Sequence, residues 1–365
     1  MSRLSRSTHF RYPRKSRESK PPATSFVTLG SRFRGDDGWG AVRWALAALA
    51  IGFAAPASAQ LYVHGRASAV APNDCDRACL TGLAESYVAG LAKRDPSGVP
   101  FAKTVRFTEN NVEMPVGEGL WATATGVPAP GMIAADIETG NVAWFGHAEE
   151  HGRPVFLGIR LKAEGRKIAE AETVVVRRTG LPLPFGDVTK LVHNPAFGQA
   201  LEPAQRKPRE RLRAVADSYF NTVELNDGQV FAPFHPDCSR LENGISTTAA
   251  TAGGGGGNAA SIAAGCEAQF KLGIYRINKR VRERRYPIID EERGVVVASG
   301  FFDHANWFDE YTLTDGRKMK TALKWPNSIS LLEAFKIVDG KIYAIETVFD
   351  YVPYAMHNPF YEVVK

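Results

Sequence analysis

The stretch KIAEAETVVV at residues 167–176 returns as KIYAIETVFD at 341–350. Both carry the frame Lys-Ile-x-x-x-Glu-Thr-Val, and both are followed by His-Asn-Pro, at 193–195 and 357–359. An internal repeat of this length constrains the fold more than any composition does. Each copy must be a supersecondary unit with its own apolar faces, and the order of elements in one predicts the order in the other.

Upstream the copies keep the same order. In LTGLAESYVAGL the residues Leu80, Leu83, Ala84, Tyr87, Val88 and Leu91 form one apolar stripe at helical spacing. In LRAVADSYFNTV the residues Leu212, Val215, Ala216, Tyr219, Phe220 and Val223 repeat it at a constant offset of 132. Each predicted helix stops at a turn signal, RDPSG at 94–98 and NDG at 226–228. TENN (108–111) and LENG (241–244) follow, and then the strand-like runs NVAWFG and GVVVASGFFDH. Two long β-rich pairs close the copies, with EGRK and DGK as hairpin turns. The expected organisation is two copies of an α+β unit, 72–200 and 205–365, an N-terminal helix followed by a mostly antiparallel sheet. The Pro-containing LEPAQRKP joins them, and a Gly-rich insert at 246–265 lies in the second. The five glycines at 253–257 do not read as a phosphate loop, because no Gly-Lys-Ser/Thr follows.

RWALAALAIGFAAPASA at 43–59 has one arginine, a short apolar run and a small-x-small ending, the layout of a cleaved export signal. The run is shorter than the ~20 residues that span a bilayer, so no stable membrane anchor is expected. The expected mature chain begins near Gln60, is periplasmic or secreted, and follows a basic stretch (1–42) that reads as an upstream extension from a misassigned start. Residues 1–59 hold 10 of the 45 basic and 3 of the 39 acidic residues, which leaves 35 against 36. The basic balance therefore belongs to the leader and gives no support for a nucleic-acid partner.

All four cysteines lie beyond the leader. An even count in an exported chain argues for disulfides. Cys238 and Cys266 flank the insert and are expected to pair, which leaves Cys75 with Cys79. Because a four-residue spacing inside regular helix is strained, Cys75 is expected to precede the first helix. No Cys-x-x-Cys occurs, so no metal is expected.

With the helix SYVAGLAKRDPSGV and the late strand GKIYAIETV on view, the chain resembles the SnoaL-like and ketosteroid-isomerase-like branch of the nuclear transport factor 2-like superfamily, in particular its secreted members. The resemblance covers nearly all of the mature chain, twice. It implies two tandem cone-shaped α+β barrels, each a curved sheet wrapped round helices with a pocket at the wide end. It also implies cofactor-independent chemistry on a small molecule, and a tyrosine of the first helix, Tyr87 or Tyr219, pointing into the pocket.

Glu346 stands in a strand apolar on both faces, sharing parity with Ile342, Ala344 and Val348, and Glu172 occupies the same frame in the first copy. A lone carboxylate there is costly unless paired or protonated, so each is either a structural ion-pair member or a pocket group. Asp303 and His304 are adjacent, so on a regular strand only one can face a pocket. The second copy has the richer set and is expected to be the active one. Glu346 or Asp303 is the expected base, His304 or His357 the proton carrier, and Tyr219 the group that stabilises developing charge. Tyr87, Glu109, Trp144, His147, Glu172, Arg240, Glu242, Asn243 and Tyr354 are further pocket candidates, for which cap, turn or core roles serve equally. No cofactor is implied. The expected partner is a small, partly apolar molecule, and homo-oligomerisation, ligand binding without catalysis and a purely structural dimerisation role all stay open.

Overall fold

Helix α1 (Arg77–Lys93) buries Leu80, Leu83, Ala84, Tyr87 and Leu91, the stripe predicted from spacing, and helix α3 (Arg209–Leu225) buries its counterpart. Both stop as the turn signals require, with Arg94 and Asn226 in the left-handed conformation. The computed structural model describes residues 74–181, 183–248, 264–305, 308–321 and 324–362, all within one compact unit. The export signal, the basic stretch before it and the five glycines of the insert lie outside the described residues. No helix among the described residues is long and apolar enough to cross a membrane.

The first sheet contains β1 (Phe101–Glu109), β2 (Val112–Glu113), β3 (Ala124–Gly126), β4 (Met132–Asp136), β5 (Asn141–Glu150), β6 (Arg153–Glu164) and β7 (Lys167–Val176), with the short α2 (Leu120–Thr123) between β2 and β3. Its order is β2-β1-β7-β6-β5-β3, and β4 also pairs with β5. The second sheet contains β8 (Phe234–Glu242), β9 (Ile245–Ser246), β10 (Arg280–Asp290), β11 (Val295–His304), β14 (Asn327–Val338) and β15 (Lys341–Pro353) in the order β10-β11-β14-β15-β8-β9. In each sheet the first strand after the long helix runs parallel to the last, β1 beside β7 and β8 beside β15. A hairpin, β12 (Glu310–Thr312) with β13 (Lys318–Lys320), and helix α4 (Cys266–Lys271) complete the second half.

The cone-shaped α+β barrels do not form. Of the described residues 42% are strand and 20% helix, the two large sheets are mixed, and neither closes into a barrel. The reason lies in what covers the faces. One face of the second sheet takes α3, with Phe335 5.0 Å from Tyr219 and 5.8 Å from Phe220 between ring centroids. The opposite face packs on the first sheet. A Cβ at Gly158 of β6 would lie 3.2 Å from Val348 and 3.4 Å from Leu332, a tight contact that marks how closely the sheets approach here. Phe145, Phe156 and Val174 of the first sheet share one buried cluster with Leu332, Ala334 and Val348 of the second. An open sheet with both faces covered explains why β11 and most of β14 and β15 are buried at consecutive positions.

Both expected disulfides are present, Cys75–Cys79 and Cys238–Cys266. Cys75 precedes the N-cap Asp76, outside the helix. Cys238–Cys266 ties α4 to β8, across the insert.

Candidate functional site

A cavity of about 90 Å³ opens between α3 and the helix-facing side of the second sheet. Tyr219 enters it from α3, Glu242 from β8, His304 from β11, Glu333 from β14, and Thr347 and Tyr351 from β15. Tyr275 and Asn278 come from the segment after α4, and Phe302, Ile329, Leu331 and Phe349 supply apolar wall. The supports are built into the repeat. Asn226, at the end of α3, accepts the Tyr275 backbone N–H on Oδ1 at 3.0 Å. The disulfide-tethered α4 presents Gln269, whose Oε1 accepts from Arg240 Nη2 at 2.5 Å.

Two carboxyl groups face this space with different partners. Glu242 Oε1 lies 3.0 Å from Arg240 Nε and accepts the Tyr275 hydroxyl at 3.2 Å. Glu333, 2% exposed, accepts the Thr347 hydroxyl on Oε1 at 2.8 Å, while its Oε2 is buried with no hydrogen-bond partner. Burial pushes the Glu333 pKa up to about 8, with Glu242 adding to the rise and Arg240, Thr347 and the nearby Tyr219 hydroxyl opposing it. Glu333 is thus protonated at neutral pH. Burial holds His304 down to about 4, so its imidazole is neutral, with Nε2 2.7 Å from Asn278 Oδ1. The hydroxyls of Tyr219 and Tyr275 are raised well above the ordinary phenol range, again chiefly by burial. A carboxyl whose pKa is raised by burial, beside a second carboxyl in one cavity, is an arrangement that supports acid–base work.

Of the sequence candidates, Tyr219, His304 and Glu242 meet here, and Arg240 stands behind them, over the rings of Phe270 and Tyr275. Glu346 does not line this cavity. Thr347 and Phe349 point toward α3, so Glu346, of the other parity, faces the first half. There it lies 2.6 Å from His193 Nδ1 and accepts the Asn194 backbone N–H at 2.6 Å, beside a cleft of about 10 Å³. Asp303 does not line this cavity either. It is fully buried and accepts from Arg280 Nε at 2.5 Å, Arg282 Nε at 2.9 Å and Ser328 Oγ at 2.6 Å, while its neighbour His304 takes the cavity side. His357 is exposed at the far end of the chain and meets Glu283. Tyr354 is half-buried near Arg280. Asn243 is a clamp: at φ 43° it donates Nδ2 to the Phe349 carbonyl and accepts the Phe349 N–H.

In the first half the corresponding side chains are engaged by their neighbours. The Tyr87 hydroxyl accepts from Trp121 Nε1 at 3.0 Å, and the Trp121 and Phe101 rings pack on it. Glu109 binds the α2 backbone at Leu120 N and pairs with Arg177. Trp144 is buried over Gly131 and Gly146. His147 is buried, and burial lowers its pKa. His147 and His151 do stand in a His-x-x-x-His spacing, but on a strand end and a turn, so they share no helical face; no metal-binding group of three occurs among the described residues. Glu172 is an ion-pair hub. Burial would raise its pKa, yet Arg285 and Arg160 outweigh it and hold it at about 2, with Asn358 donating at 2.7 Å.

Sequence reasoning missed Glu333, Tyr275, Asn278 and Tyr351. Glu333 carried a signal, a single carboxylate inside the apolar run SLLEAFKIV, the same anomaly that singled out Glu346. Its position in the first half, by the 174-residue offset, is Ile159.

The family described as Domain of unknown function (DUF8021) matches residues 205–349, a segment that contains every cavity residue named above except Tyr351. No curated protein matches the chain. Among solved structures, a protein from Sphaerobacter thermophilus is 20% identical over 26% of this chain and 94% of its own, with a TM-score of 0.21. A de novo designed protein with a curved β-sheet is 14% identical over 28% and 88%, with a TM-score of 0.23. AclR from Streptomyces galilaeus is 19% identical over 31% and 92%, with a TM-score of 0.24. Scores this low carry no argument about fold or function.

Proposed function

We propose that the second half binds a small, partly apolar molecule in this cavity and performs cofactor-independent acid–base chemistry on it, of isomerase, lyase or hydrolase type. Glu333 is the group that exchanges the proton, Tyr219 donates a hydrogen bond to developing charge, and Glu242 is the fixed carboxylate opposite. The observation that carries this reading is Glu333 itself, a buried carboxyl with one oxygen unpartnered in a cavity walled by apolar and aromatic side chains. The resemblance to the ketosteroid-isomerase-like branch is in line with it. The first half is the structural partner, since Ile159 stands at the position of Glu333 and the hydroxyl of Tyr87, the counterpart of Tyr219, is taken by Trp121. The two disulfides and the signal layout support an exported, periplasmic or secreted protein.

Native mass spectrometry of the purified chain tests the pocket. A co-purifying small molecule that is lost in Glu333→Leu is expected, whereas retention of that molecule by the variant contradicts the site. Acid–base chemistry on the bound molecule is then read as deuterium incorporation in D₂O. Its absence, with binding intact, leaves a non-catalytic ligand-binding module.

A further inference from the structure

Charge accounting in the cavity identifies the kind of ligand. Arg240 and Glu242 form one ion pair, 3.0 Å apart and buried, so their charges cancel. Arg240 does not line the cavity; its guanidinium lies over the rings of Phe270 and Tyr275, at 5.6 and 5.1 Å from Cζ to ring centroid. No lysine or arginine is among the lining residues. His304 is neutral and engaged with Asn278. What remains is one carboxyl without a cation, Glu333, and around it the rings of Tyr219, Tyr275, Phe302, Phe349 and Tyr351.

Such a site disfavours anions, because no lysine or arginine lines it and the nearest guanidinium, Arg240, is already paired with Glu242. It accepts a neutral molecule only by leaving Glu333 protonated. A ligand ammonium does more. It supplies the missing positive charge, reaches the unpartnered Oε2 in a charge-assisted hydrogen bond, and lies against ring faces. We infer that the ligand of this cavity is a small organic cation, a protonated primary amine attached to a flat apolar body, whose ammonium group is held by Glu333. This rests on the reading of the cavity as a ligand pocket. Size limits the body: at ~10–15 Å³ per water-sized site, the 90 Å³ cavity admits roughly six to nine non-hydrogen atoms.

Binding should also move a proton. The groups facing Glu333 are Tyr219 from α3, Glu242 and Arg240 from β8, Tyr275 after α4, His304 from β11 and Tyr351 from β15; burial moves Glu333 up to about 8 and keeps His304 neutral. When an ammonium binds, Glu333 ionises and its proton leaves to the buffer. The loaded site then holds a carboxylate at hydrogen-bond distance from the ligand, a base in place of an acid.

Three ligands of nearly equal size decide the matter: benzylamine, benzyl alcohol and benzoate, measured by calorimetry on the full chain at pH 7. Benzylamine is expected to bind at least tenfold more tightly than benzyl alcohol, and benzoate not at all. Titrations in buffers of different ionisation enthalpy should show close to one proton released per benzylamine and none for the alcohol. Glu333→Gln should bring benzylamine down to the level of the alcohol. The proton count on the unaltered chain carries the test if that variant does not fold. Benzyl alcohol binding as tightly as benzylamine, or benzylamine binding without proton release, overturns the cation while leaving the pocket in place. Failure of all three to bind also overturns it, and the pocket then stands or falls on the co-purification experiment.

Discussion

Thr347 and Glu333 stand opposite each other on β15 and β14, and the Thr347 hydroxyl donates to Glu333 Oε1 at 2.8 Å on the face turned to α3. One residue along the strand, Glu346 points the other way and binds the tail of the first half. Strand parity alone therefore sends Thr347 to the cavity carboxyl Glu333 and its neighbour Glu346 to the opposite face of the sheet.

Glu333 should tilt the stability of the chain with pH. Its folded pKa of about 8 lies above the unfolded value near 4.5, so the folded state holds the proton more tightly. Stability is fully present below the unfolded pKa and falls as pH rises toward 8, by at most ~4–5 kcal/mol over the window. Urea unfolding of the chain and of Glu333→Gln between pH 5 and pH 9 should show this slope in the first and its loss in the second.

Asp303 should behave in the opposite sense. Its pKa is lowered because Arg282, Ser328 and Arg280 outweigh the effect of burial, so its contribution is present at neutral pH and lost as pH falls through the folded value. Asp303→Asn leaves two arginines without their carboxylate and should cost ~3–5 kcal/mol, with ligand affinity unchanged in the folded fraction. A loss of affinity with stability intact would return Asp303 to the site.

The two halves hold each other by reciprocal contacts. Arg77 at the start of α1 pairs with Asp290 of the second half at 2.6 Å, and Arg209 at the start of α3 pairs with Asp136 of the first at 2.7 Å. The His-Asn-Pro tails cross in the same way, His193 and Asn194 to Glu346, and Asn358 to Glu172. Glu172→Gln should cost ~3–5 kcal/mol, because Arg285 loses its carboxylate and the buried Arg160 is left with Glu170 alone as an acidic partner. In the parent chain this contribution is lost as pH falls from the ordinary carboxylate range toward about 2. Hydrogen exchange should show β7 and β15 losing protection together.

Much of this was legible in the chain. The stripes of α1 and α3, the αL stops at Arg94 and Asn226 and both disulfides follow from local spacing. The tail exchange was not, because His193 and Glu346 lie 153 residues apart and nothing local joins them. Parity placed Glu346 with Ala344 and Val348 correctly but could not say which face met α3, since both faces are apolar. The openness of the sheets is likewise non-local: it depends on the two halves covering each other, which leaves no need for edges to close.

Cys238–Cys266 holds the segment that carries Gln269 and Tyr275 against β8. A separation of 28 residues makes the bridge worth ~3–4 kcal/mol in the loop-entropy account. Cys266→Ser should lower stability by about that amount in denaturant and weaken ligand binding beyond the loss of folded protein. Cys75→Ser should affect stability alone.

The central claim is that Glu333 is a protonated carboxyl in an apolar cavity at neutral pH. A ¹³C NMR titration of the glutamate carboxyl carbons, with Glu333→Gln assigning the resonance, measures it without any ligand. The account predicts a midpoint near 8. A midpoint in the ordinary glutamate range, ~4–5, would contradict it.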